Sequence, residues 1–147
     1  MNKILPPTYL LSCIIIAIAL HYLLPCYYLL EFPYRYLGIP LILIGLWLNI
    51  WADGIFKRAQ TTVKPLEKPS ALTTHGPFKF TRNPMYLGMV IGLIGLAVVL
   101  GSVTPFLVPL IFYLIVVNAY MPHEEKYLEE VFGPRYLEYK RHVRRWL

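Results

Sequence analysis

The chain has 147 residues; 57% are apolar, only 15% are charged, and the formal net charge is +6. Soluble domains carry charge on about a quarter of their residues, and here the apolar residues fall in blocks that leave no soluble domain between them, so the composition points to a one-domain membrane protein. The positive charge comes without any basic-aromatic recognition module, which argues for a membrane surface and against a nucleic-acid partner.

The first apolar block runs from about Tyr9 to Leu30. Within it, Leu10-Leu11-Ser12-Cys13 resembles a lipoprotein cleavage box, but the stretch before it is short and broken by Pro6-Pro7, and the apolar run continues past Cys13. It therefore reads as a retained anchor and not as a cleaved signal. Cys13 and Cys26 lack C-x-x-C spacing and read as apolar filler. The second block runs from about Tyr36 to Phe56, and Pro25 and Pro40 are expected to kink or cap the helices that hold them. The segment Lys57–Thr74, rich in Thr, Pro and Lys, reads as a loop with little regular structure.

The third block, Pro84 to Leu100, and the fourth, Thr104 to Tyr120, are separated only by Gly101-Ser102-Val103. Each is near the lower limit of about 17 residues for a crossing helix, and the short link predicts a tight antiparallel hairpin. Beyond Pro122 the run HEEKYLEEVFG sets Tyr127, Leu128, Val131 and Phe132 on one helical face, and Gly133-Pro134 ends it. Arg135 to Trp146 reads as a second amphipathic helix, basic and aromatic, suited to anionic headgroups. The expected fold is all-α: an integral membrane bundle of four transmembrane helices (about 9–30, 36–56, 84–100 and 104–120). C-terminal amphipathic helices within 123–146 complete a single domain over 1–147.

Charge sets the orientation. Of fourteen Lys and Arg, six lie between Lys57 and Arg82, six lie after Tyr120, and Lys3 precedes the first block; only Arg35 lies elsewhere. With four spans, thirteen fall on one side, which the positive-inside rule makes cytoplasmic. Both termini are then expected inside an inner (plasma) membrane.

Polar chemistry concentrates at two places, the segment HGPFKFTRNPMYLG (His75–Gly88) and the acidic pair Glu124-Glu125 just past the fourth block. Pro84 suits the first turn of a helix and Asn83 the N-cap position before it. The free N–H groups of that helix end, with Arg82 beside them, suit a carboxylate. The hairpin brings Glu124 and Glu125 to the same mouth, where opposite charges would clamp a zwitterion; a plain structural ion pair, or interfacial anchoring by Arg82, Tyr86 and Phe78, is the competing reading. His75 or His123 with these carboxylates lacks H-x-x-x-H or cysteine partners, so no metal site is expected.

These two segments, continued by HEEKYLEEVFGPRYLEYKRHVRRWL, resemble the isoprenylcysteine carboxyl methyltransferase and phospholipid methyltransferase superfamily over about the last 75 residues. The similarity is weaker around Phe56–Pro65. The matching positions are Gly76, Pro77, Phe78, Arg82, Pro84, Tyr86, Gly88, Glu124, Glu125, Leu128, Phe132, Gly133, Tyr136 and Tyr139. The resemblance implies a multi-span enzyme with S-adenosyl-L-methionine (SAM) held at the cytosolic mouth by His75, Gly76, Phe78, Arg82, Asn83, Pro84, Tyr86, Leu87, Glu124 and Glu125. It also implies a lipophilic acceptor, with a carboxylate or an amine, reaching the site from the membrane lipid. Asn83 departs from the histidine of many members and cannot carry charge. Arg58, at the end of the second block, is a candidate for orienting the acceptor, against its reading as a positive-inside anchor.

No Gly-rich strand-to-helix turn is present, so cofactor binding must come from helices and their flanks. Two other readings fit the same sequence. One is an NADPH-dependent membrane reductase of sterol or lipid type. The other is a non-enzymatic four-span protein or transporter, for which His21 lies nearer mid-span than Asp53.

Overall fold

The computed structural model describes residues 6–59 and 69–147. Lys3 and residues 60–68 of the expected loop lie outside the described residues, as does part of the Phe56–Pro65 stretch. The described residues form helices α1 (Pro6–Leu23), α2 (Gly38–Arg58), α3 (Pro84–Leu100), α4 (Leu107–Ile115), α5 (Met121–Phe132) and α6 (Pro134–His142), with no strands among them. The helices α1, α2, α3 and α4 run alternately up and down, so the end of α2, the described residues just before α3 and the segment after Tyr120 meet at one end.

Two helical stretches are long and apolar enough to cross a membrane, Tyr34–Arg58 with 25 residues and Thr104–Phe132 with 29. The helices α1 and α3 are also apolar but shorter. α1 stops well before the expected boundary at Leu30. Pro25 supplies no N–H and disfavours helix at the residue before it, and the chain turns through Cys26 at φ 51°. It then runs across the far end of the bundle, where Leu29 and Leu30 donate to the Gly101 carbonyl (2.9 and 3.1 Å) and Val103 donates to Tyr27 (2.9 Å). The Arg35 guanidinium closes the same end through the Leu30 carbonyl (2.8 Å).

The fourth block and the amphipathic segment after it are one continuous helix, where two were expected. Val116–Tyr120 forms a π-turn between α4 and α5, and the Met121 N–H reaches back to the Val116 carbonyl. In an unbroken α-helix the Pro122 ring would meet the carbonyl of residue 118. The widened turn just before it relieves that clash, so the helix passes through the proline without ending.

Gly101, at φ 79°, ends α3 in the left-handed conformation that glycine adopts freely, and a single 3-10 turn at Thr104–Phe106 starts the return. The main neighbour of α3, however, is α2 and not its hairpin partner. Gly45 faces Gly88 so closely that a Cβ on either would run into the other's carbonyl oxygen. Helices approach this closely only where small residues line the seam. On its other side α3 joins α1 and α4 in a core of Ala17, Tyr86, Met89, Leu93, Val108, Phe112, Val116 and Met121.

Candidate functional site

The charged end of the bundle is assembled from three segments: the turn before α3, the first residues of α5, and the chain around and beyond α6. In the first, Gly76 at φ 59° opens a 3-10 turn over Gly76–Lys79. That turn seats Phe78 edge-on against Phe56 of α2, with ring centroids 5.0 Å apart. The Phe78 carbonyl accepts a hydrogen bond from the Tyr139 hydroxyl (2.7 Å), which ties the turn to α6. Thr81, fully buried, donates to the Arg145 carbonyl (3.1 Å) and accepts from the Asn83 N–H (3.2 Å).

Asn83 holds the N-cap position of α3, and Pro84 is in the first turn as expected. The Asn83 side chain does not cap the helix, though. Its Nδ2 donates instead to the Arg145 carbonyl (3.2 Å), a contact the sequence spacing does not reveal. The residues at 143–147 thus cross the N-terminal end of α3, with the Arg82 N–H donating to the Arg144 carbonyl (3.0 Å).

Glu125 is the electrostatic centre. Its side chain is 6% exposed and Arg82's is 9% exposed, with Arg82 Nη2 3.4 Å from Glu125 Oε1. Arg145 makes a closer, two-pronged contact: Nε to Oε1 at 2.9 Å and Nη2 to Oε2 at 2.8 Å. Lys140 stands 3.7 Å from Glu125 Oε2 and also pairs with Glu129. Among the described residues, Arg82 Nε and Nη1 are buried with no hydrogen-bond partner. A buried guanidinium with two unmade hydrogen bonds is costly, so this is the feature of the site that most demands a ligand.

Glu124 turns the other way, toward α3, and accepts a hydrogen bond from the Tyr86 hydroxyl (2.7 Å). No cation pairs with it among the described residues. The Glu125 hydrogen bonds hold the Arg145 guanidinium above its usual value. Burial, and then the charge of Glu125, push the Tyr136 hydroxyl up to about 12, with Arg82 pulling against them. Burial, and then Tyr136, raise Tyr139 as well. Both phenols stay neutral at physiological pH, and Tyr139 donates to the Phe78 carbonyl.

Beside Tyr86 lies a small apolar cavity of about 30 Å³, lined by Tyr9, Cys13, Tyr86, Phe112, Ile115, Val116 and Tyr120. The Tyr9 and Tyr120 rings meet edge to face at 5.6 Å.

Of the residues singled out in the sequence, Arg82, Asn83, Pro84, Tyr86, Glu124 and Glu125 come together at this end. Gly76 and Phe78 pack onto α2, the former facing Ile55 and Trp51. Leu87 sits in the first turn of α3, its N–H bonded to the Asn83 carbonyl (3.0 Å). His75 is exposed, 3.3 Å from the Thr74 hydroxyl. Arg58 is exposed at the last residue of α2. No group of three or more potential metal ligands occurs among the described residues. Arg145, Lys140 and Thr81 are not among the residues the sequence singles out; for Arg145 and Lys140 the basic run before Trp146 is the only signal.

The phospholipid methyltransferase family profile matches residues 33–135, which takes in the turn before α3, the α2–α3 seam and the Glu124-Glu125 pair. The chain belongs to that family. It is 33% identical over 81 residues to protein-S-isoprenylcysteine O-methyltransferase A of Arabidopsis thaliana, a match covering 52% of this chain and 39% of that protein. An uncharacterized protein of Haemophilus influenzae is 40% identical over 63 residues, covering 43% of this chain and all of that protein. No solved structure matches. The chain therefore spans well under half the length of the Arabidopsis relative, while the smaller bacterial protein lies wholly within the matched region.

Proposed function

We propose that this protein is an integral membrane methyltransferase that takes its methyl group from SAM and passes it to a lipophilic acceptor, carboxylate or amine, arriving through the bilayer. The observation that carries this reading is the buried guanidinium of Arg82: its Nη2 lies 3.4 Å from the Glu125 carboxylate, while its Nε and Nη1 have no hydrogen-bond partner among the described residues. A donor with an amino-acid end needs this pairing: N–H donors for its carboxylate, an acidic side chain for its ammonium. Arg82 would hold the carboxylate and Glu125 would face the ammonium, with Glu124, held by Tyr86 on the side toward α3, adding negative charge to the same mouth. His75, Gly76, Phe78, Asn83, Pro84, Tyr86 and Leu87 complete the donor site in this proposal. Gly76 and Phe78 act through the backbone turn they set, and Pro84, Tyr86 and Leu87 through the start of α3.

When bound, SAM supplies an electrophilic methyl group for in-line displacement. The chain's own contribution is chiefly positioning, which by itself yields large accelerations. Tyr86 fixes the Glu124 carboxylate by hydrogen bond and lines the apolar cavity between α1, α3 and α4. At about 30 Å³ the cavity holds little more than a water, so an acceptor chain enters by parting α1 from α4. A carboxylate acceptor is ionised at neutral pH, whereas an amine needs a base. Arg58, on the same side of the bundle, is proposed to orient the acceptor.

All four helical stretches are proposed to cross the inner membrane with the charged end in the cytoplasm, in keeping with the positive residues gathered there. The outward face of α2, with Leu43, Leu46, Trp47 and Ile50 exposed, suits lipid. At about 1.5 Å per residue, α3 spans only about 25 Å, so the polar turns at its ends sit within the headgroup region.

The test is to incubate purified protein with methyl-labelled SAM and a total lipid extract. Label entering a lipid species, and lost in Arg82→Lys, is the expected result. No transfer together with saturable NADPH binding would contradict the proposal and favour a membrane reductase.

A further inference from the structure

We propose that residues 143–147 form a strap that closes the donor site, with the Arg145 guanidinium resting on Glu125 in the place of the donor's ammonium. The inference rests on the proposed SAM site and adds a competitor built into the chain. α6 ends at His142, and Val143 is extended (φ −119°, ψ 130°), so the chain leaves the helix and lies across the start of α3. Three hydrogen bonds fasten it by its carbonyls, from the Arg82 N–H, the Thr81 hydroxyl and the Asn83 amide. The Trp146 ring lies against Tyr113, with centroids 5.1 Å apart.

The charges explain why this contact competes with a ligand. Arg145 engages both oxygens of Glu125, the acceptors an incoming ammonium would use. Arg82, the buried cation, is left with the longer contact of 3.4 Å and two unpaired N–H groups. Had the site evolved only as a structural ion pair, Arg82 would be the better-satisfied partner, since it bears the larger desolvation cost. The Arg145 side chain is 37% exposed against 6% for Glu125. Partly exposed, it can leave Glu125 and be solvated by water, and Arg82 remains beside the carboxylate. Lys140 at 3.7 Å, also 37% exposed, stays behind to offset Glu125. The docked strap is itself imperfect, because Trp146 Nε1 is buried without a partner, and an unmade buried hydrogen bond favours release.

The experiment uses the whole chain in lipid nanodiscs, as wild type, Arg145→Ala and Arg145→Lys. SAM affinity is measured by titration calorimetry, and exchange of the Arg82 amide hydrogen is followed by NMR. Removing the strap's anchor is expected to tighten SAM binding about fivefold, as for a site whose open form is populated about a fifth of the time. Arg145→Lys, which keeps the charge but loses the two-pronged contact, falls between and guards against a folding defect in the alanine variant. The Arg82 amide should exchange faster in Arg145→Ala without SAM, and faster in wild type once SAM is added. SAM binding that is unchanged or weaker in Arg145→Ala, or an Arg82 amide that stays protected with SAM bound, overturns the strap and leaves the donor site standing. If no form of the protein binds SAM, the donor site fails and the strap fails with it.

Discussion

Arg82 and Arg145 illustrate how much burial decides about a charge. Both touch Glu125, yet one is 9% exposed and the other 37%. The energetic stakes therefore differ: a buried cation without its partner costs several kcal/mol, whereas a guanidinium more than a third exposed recovers much of its hydration when it leaves the carboxylate. Tyr139 has a smaller, separable task. Its hydroxyl ties the Phe78 carbonyl of the pre-α3 turn to α6. Tyr139→Phe should lower stability by about 1 kcal/mol, read as a shift in the denaturation midpoint in detergent, and should loosen the turn that positions Gly76 and Phe78. An unchanged midpoint would mean that the turn is held by Phe56 and the α2 seam alone.

Among the elements, the α2–α3 seam is the most sharply determined. Gly45 and Gly88 bring two backbones into contact, and Asn49 lies against the same glycine, so Gly88→Ala has no room for its methyl group. We expect it to cost about 1–3 kcal/mol, the usual penalty of overpacking, seen as a lower melting temperature; a neutral effect would show that the seam can open. The sequence reveals these helices well, because Pro84 and Gly101 punctuate α3 at both ends and the apolar block between them is unbroken. It does not reveal that α3 leans chiefly on α2, since hydropathy marks a helix as buried without naming its neighbour. The end of α1 was misjudged because hydropathy stays high through Leu30 while Pro25 has already broken the backbone ladder. The π-turn at Val116–Tyr120 was invisible for the opposite reason: Pro122 reads as a stop, but one widened turn lets the helix continue. That continuation delivers Glu124 to Tyr86 and Glu125 to Arg82 from adjacent positions on a single helix.

At the scale of the whole molecule, antiparallel helices gather Lys57, Arg58, Lys79 and Arg82 with the basic C-terminal segment and the acidic pair at one end. The residues of that cluster were legible in part. Arg82 and Glu125 stand in recognisable motifs, while Arg145 is reached only by folding α6 and the segment after it back over α3, a long-range placement that local spacing cannot encode. Everything proposed for this end depends on the buried Arg82–Glu125 pair serving a ligand and not merely the fold. The most direct measurement is SAM affinity in nanodiscs for wild type, Arg82→Lys and Glu125→Gln, with melting temperatures to confirm folding. Saturable binding to wild type and at least about a tenfold loss in each variant, equivalent to about 1.4 kcal/mol, are expected. Folded variants that bind SAM as tightly as wild type would contradict the proposed donor site and leave the pair as a structural ion bridge.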